Sequence, residues 1–79
     1  MIREELTAMI IDLLELEPDI TNETSINLFE YDSFTKVNLI VALESYSNDV
    51  IDLEALLVCD SYGALIELAE KMKKNTEIE

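Results

Sequence analysis

Few residues in this chain have side chains that could do chemistry. There is no histidine and one cysteine, so the reactive groups are hydroxyls, carboxylates, five basic side chains and a single thiol. A Ser–His or Cys–His nucleophile pair is therefore excluded, and so is a zinc site built from Cys and His. Cys59 follows Leu56-Leu57-Val58 and reads as a small core residue rather than a reactive thiol. Asp49, Asp52 and Glu54 lack the remainder of an EF-hand loop, and the one glycine cannot make a Gly-rich phosphate loop. The chain lacks the means for catalysis and reads as a substrate for other enzymes. What remains is a hydroxyl in a favoured place. Asp32-Ser33 follows a stretch rich in Thr, Asn and Ser, and an uninterrupted apolar helical run begins there. Taken alone, the pair is helix N-cap chemistry, a side-chain oxygen accepting from an unpaired helix N–H. A serine there also sits where free backbone N–H groups and the helix dipole favour an anion. A phosphoester on Ser33 would gain about 0.3–1 kcal/mol from the dipole.

The elements that must hold this hydroxyl follow from periodicity. Ile2, Leu6, Met9, Ile10 and Leu13 share one stripe, predicting a helix from Ile2 to about Leu14 that is ended by Glu17-Pro18. Residues 18–31 form a long connection, and a connection of that length is usually functional or locally packed. Ile20, Ile26, Leu28 and Phe29 are its candidate pins, with a short helical turn near Ser25 to Phe29. The second helix runs from Ser33 to about Tyr46. Its expected buried stripe is Phe34, Val37, Ile40 and Leu43, with Asn38 and Val41 nearer the outer face. Asp52 caps a short third helix, Leu53 to Leu57. Asp60-Ser61 announces a fourth, from Ser61 to about Lys74, burying Tyr62, Leu65, Ile66, Ala69 and Met72. Gly63 in its first turn costs up to ~1 kcal/mol relative to alanine, and close packing is the one reason available for it. Residues 75–79 are expected to fray. The expected fold is all-α: a four-helix bundle of three longer helices and one short one, in a single domain over residues 1–79.

Asp32-Ser33-Phe34, followed by Val37, Leu39, Ile40 and Ala42-Leu43-Glu44, resembles the modification helix of the acyl carrier protein family. The order and spacing of the elements resemble that fold over almost the whole chain, although the specific part is the Asp-Ser centre and the helix after it. The family usually shows Gly-x-Asp-Ser-Leu. Here Glu30 stands where glycine is common, and Phe34 where leucine is usual; Asp-Ser-Phe is similar to the D-alanyl carrier branch. The resemblance implies that Ser33 receives 4′-phosphopantetheine from coenzyme A through a separate phosphopantetheinyl transferase. It implies that Asp32 helps engage that enzyme and its Mg²⁺. The arm's thiol would then carry cargo as a thioester between a loading ligase and synthase or transferase enzymes. An apolar stripe between helices would shelter part of an acyl chain. Acyl cargo, in fatty-acid or polyketide synthesis, and aminoacyl or peptidyl cargo, of nonribosomal-peptide or D-alanyl type, both stay open. The second helix of the family docks on basic partners through acidic positions. Asp32 and Glu44 fit that habit, but Thr35, Asn38 and Ser45 fall at often-acidic places and Lys36 adds a positive charge. Val41, beside Asn38, Glu44 and Ser45, is the candidate apolar contact. Solvated drift and specialised partners are both consistent with this quieter helix.

Composition bounds the partners. Seventy-nine residues form one small domain, with a net stability of roughly 3–5 kcal/mol. Eighteen acids against five bases give −13. Sixteen of the acids lie in residues 1–70, against Arg3 and Lys36 alone, so that stretch carries −14. Nucleic acid and anionic membrane are poor partners for such a surface, because phosphates need Lys and Arg. Basic protein surfaces are the natural ones, with steered association. No apolar run approaches the ~20 residues that span a bilayer. Met1-Ile2-Arg3-Glu4-Glu5 enters an amphipathic pattern at once, without signal-peptide character. A cytoplasmic monomer is the expectation. The rival from another class is an acidic helical interaction module that never carries an arm.

Overall fold

The computed structural model describes the backbone of residues 1–78 and the side chains of residues 1–74. Four α-helices and one 3-10 turn follow in the order α1 (Arg3–Leu14), the turn Leu28–Glu30, α2 (Ser33–Ser47), α3 (Leu53–Leu57) and α4 (Tyr62–Ile78). The protein is all-α, with no strand among the described residues. α2 packs against both α1 and α4. Leu6, Ile10 and Leu14 of α1 meet Leu39, Ala42, Leu43 and Tyr46 of α2 in the core. Tyr62, Leu65, Ile66, Ala69 and Met72 supply the face expected of α4. Leu56 of α3, Ile26, Leu28 and Cys59 complete it.

α1 begins with Ile2 as its cap, where Glu5 Oε1 accepts the Ile2 N–H at 3.1 Å. It ends at Leu14, four residues before Pro18, and for a different reason. Glu15 turns left-handed at φ 54°, and its N–H and that of Leu16 return to Asp12 and Ile11 carbonyls. That doubly bonded stop satisfies carbonyls the helix would otherwise leave open. Leu14 is buried, whereas Ile2 and Met9 of the expected stripe are exposed.

The inward face of α2 differs from expectation. Leu39, Ala42, Leu43, Tyr46 and Ser47 are buried. Phe34 is 76% exposed and Val37 55%, and Ile40 is half-buried. Apolar residues surround this helix, so two stripes were available. The core takes the one containing more leucine and the aromatic ring of Tyr46, leaving the Phe34–Val37–Val41 stripe outside.

The long connection is tied down by backbone rather than by apolar pins alone. Ile26 N–H donates to Asp60 O at 2.9 Å, Tyr62 N–H to Thr24 O at 2.9 Å and Gly63 N–H to Asn22 O at 2.9 Å. Ser25 and Ser61 form an isolated antiparallel bridge. Gly63 now has its reason: a Cβ there would lie 2.7 Å from Asn22 O and 2.8 Å from Asn22 Cβ. Ile26 and Leu28 are buried and Ile20 is half-buried, but Phe29 points out to solvent. The short turn lies at Leu28–Glu30, where Asn27 Oδ1 caps Phe29 N–H at 3.1 Å. Glu30 has no positive φ, so this backbone does not require a glycine there. Tyr31 Oη donates to Leu14 O at 2.9 Å, fastening the end of the connection to the end of α1. α3 matches its expected bounds, with Asp52 Oδ1 accepting from Glu54 N–H at 3.1 Å. α4 continues four residues past Lys74 to Ile78, since residues 75–78 contain neither Pro nor Gly to stop it. Glu79, the end of the expected frayed tail, lies outside the described residues.

Candidate functional site

The start of α2 separates the two roles that Asp32-Ser33 combined in the sequence. Asp32 is the cap: its Oδ1 accepts the Thr35 N–H at 2.7 Å and its carbonyl accepts the Lys36 N–H at 3.1 Å. Ser33 is the first helical residue, exposed, and its hydroxyl makes no hydrogen bond among the described residues. The amides of Ser33 and Phe34 likewise have no acceptor among the described residues. A free hydroxyl thus stands beside unpaired donors at the positive end of a helix. The Thr35 backbone N–H, then the Thr35 side chain, then the Lys36 charge hold the Asp32 carboxyl below the usual carboxylate range.

Beside Ser33 lies a small groove between α2 and α3. Ser33, Lys36, Val37, Ile40, Leu53 and Leu57 line it, and its volume is about 170 Å³. The wall from α3 was not singled out in the sequence. The signal was there in Leu53 and Leu57, four apart and therefore on one edge of a short helix. Leu53 is exposed and Leu57 half-buried, so that edge faces the groove instead of the core.

The remaining candidates divide. Val41 is 52% exposed, on the outer stripe with Phe34 and Val37. Asn38 is half-buried rather than fully outward. Glu44 is also half-buried, and its Oε2 accepts the Ile51 N–H at 3.0 Å, which ties α2 to the segment entering α3. Lys36 is half-buried at the groove. Cys59 is buried in the core, its Sγ donating to Ala55 O at 3.5 Å. Burial first and the Asp60 charge second push that thiol up. No helix is long and apolar enough to cross a membrane among the described residues. No family model, curated protein or solved structure matches this chain.

Proposed function

We propose that this chain is a carrier protein that holds 4′-phosphopantetheine on Ser33 and bears cargo on that arm. The observation that carries the reading is the division of labour at the start of α2. Asp32 takes the cap, which leaves the Ser33 hydroxyl exposed, unbonded and at the mouth of an apolar groove. The resemblance of Asp32-Ser33-Phe34 and the following helix to acyl carrier proteins supports it from the sequence side.

In the loading step Ser33 Oγ attacks the phosphorus of coenzyme A nearest the pantetheine. The Oγ–P bond forms, the pyrophosphate P–O bond breaks, 3′,5′-ADP leaves, and the serine proton goes to a base of the transferase. When bound, the group supplies a thiol that carries acyl or aminoacyl cargo as a thioester. The chain's own residues do the rest. Asp32 keeps the helix start closed and offers the transferase an acidic edge. Val37, Ile40, Leu53 and Leu57 offer a dry wall to cargo. An apolar cavity of about 150 Å³ accommodates a benzene-sized guest, so a groove of about 170 Å³ suits a short acyl or aminoacyl group better than a long fatty chain. Val41, with Asn38 and Glu44 beside it, is the proposed contact for partner enzymes.

Incubation with coenzyme A and a broad-range phosphopantetheinyl transferase, followed by intact-mass measurement, tests the reading. One arm should be gained by the protein and none by Ser33→Ala. An unmodified wild-type protein, folded by circular dichroism, would leave the acidic interaction module as the better account.

A further inference from the structure

We propose that Lys36 is the counter-ion of the phosphodiester on Ser33 and turns the root of the arm over the α2–α3 groove. This rests on the carrier reading and adds to it a positioning residue. Ser33 and Lys36 are three apart on one helix, so their Cβ atoms are neighbours at about 5–6 Å. Both line the same groove, with Val37, Ile40, Leu53 and Leu57 completing it. Lys36 is the one base between residues 4 and 70, a stretch that contains sixteen acids. Its ammonium forms no ion pair within 4.0 Å among the described residues, although its charge reaches the Asp32 carboxyl and helps hold that group below the usual range. The acid one turn before it, Asp32, is engaged with the Thr35 N–H.

A phosphodiester on Ser33 would bring a full negative charge to that spot. Lysine meets phosphate as a point charge, without the fixed geometry arginine demands, and charge-assisted bonds of this kind are the strong ones. The surrounding carboxylates, Asp32 foremost, repel the same linker. One cation on the groove side against acids elsewhere gives the arm a direction: its first bonds run toward α3, where cargo finds apolar cover, rather than away into solvent.

The test uses holo-protein with the free-thiol arm, so that no cargo charge is present. Intact mass is read first. Wild type, Lys36→Gln and Lys36→Arg should each gain one arm, and failure of wild type to gain it overturns the carrier reading and this inference together. Phosphorus NMR of the linker then isolates Lys36. At low salt the wild-type resonance should be displaced from its position in the same protein unfolded by urea. Lys36→Gln should lose most of that displacement, Lys36→Arg should retain it, and added salt should shrink it in both wild type and Lys36→Arg. A Lys36→Gln resonance that superimposes on wild type, in proteins of equal mass gain and equal helicity, overturns the inference. That outcome would make Lys36 a rim contact for partners.

Discussion

A hydroxyl becomes available for modification when something else does the local structural work. Asp32 does it here, and its carboxylate is held below the ordinary range chiefly by the Thr35 N–H. A carboxyl whose folded pKa is depressed stabilises the fold above its unfolded pKa and loses that contribution as pH falls through the folded value. The Asp32 titration followed by carboxyl NMR should therefore have its midpoint below that of a free aspartate. Protection of the Thr35 amide should fade in the same acidic window. A midpoint at the ordinary value would remove the cap from this account. The sequence made Asp32-Ser33 legible as a helix start but not which of the two was the cap. That depends on where the backbone turns from extended to helical, and Asp32, at ψ 171°, is the last extended residue. Cys59 reads as a core residue and is buried, although Val58 beside it is 78% exposed, so the apolar run alone does not decide which member faces inward. The raised pKa of Cys59 predicts slow alkylation at neutral pH in the native protein and fast alkylation in urea.

At the scale of elements, α2 was the hard case. Periodicity detects a helix with an apolar face, but Phe34, Val37 and Val41 form one such face while Leu39, Ala42, Leu43 and Tyr46 form another. Only packing against α1 and α4 chooses between them. The choice predicts a contrast: Leu39→Ala should cost about 2–5 kcal/mol, whereas Val41→Asp should change stability by less than about 0.5 kcal/mol. Urea melts measure both. On the carrier reading proposed above, Val41→Asp should instead slow turnover of the armed protein by partner enzymes, and unchanged turnover would remove Val41 as a contact. Gly63 shows the limit of propensity arguments. Alanine is the better helix former by up to ~1 kcal/mol, yet Gly63→Ala should destabilise, because its Cβ would collide with Asn22 and overpacking costs about 1–3 kcal/mol. An alanine variant of higher urea midpoint would show that the connection can move aside. None of this was readable from residues 18–31, since backbone-to-backbone ties between distant segments have no side-chain pattern.

The whole molecule carries −13 on 79 residues. Sixteen acids with two bases in residues 1–70 repel one another across a small fold. Screening relieves that repulsion, the Debye length falling from about 30 Å at 0.01 M to about 10 Å at 0.1 M salt. The melting temperature should rise from low to moderate salt and again with millimolar divalent cation, and a flat profile in calorimetry would contradict it. The ties between residues 22–26 and residues 60–63 have a consequence for biosynthesis. The long-range backbone partners of residues 22–26 lie in residues 60–63 and exist only once the start of α4 has been made. A nascent polypeptide not yet extended through residue 63 would present Ser33 behind a lead-in held by Tyr31 at Leu14 but not yet held at residues 22–26. On the carrier reading proposed above, products truncated before residue 60 should be poorer substrates for the transferase than the 79-residue chain, and equal modification of both by intact mass would contradict this.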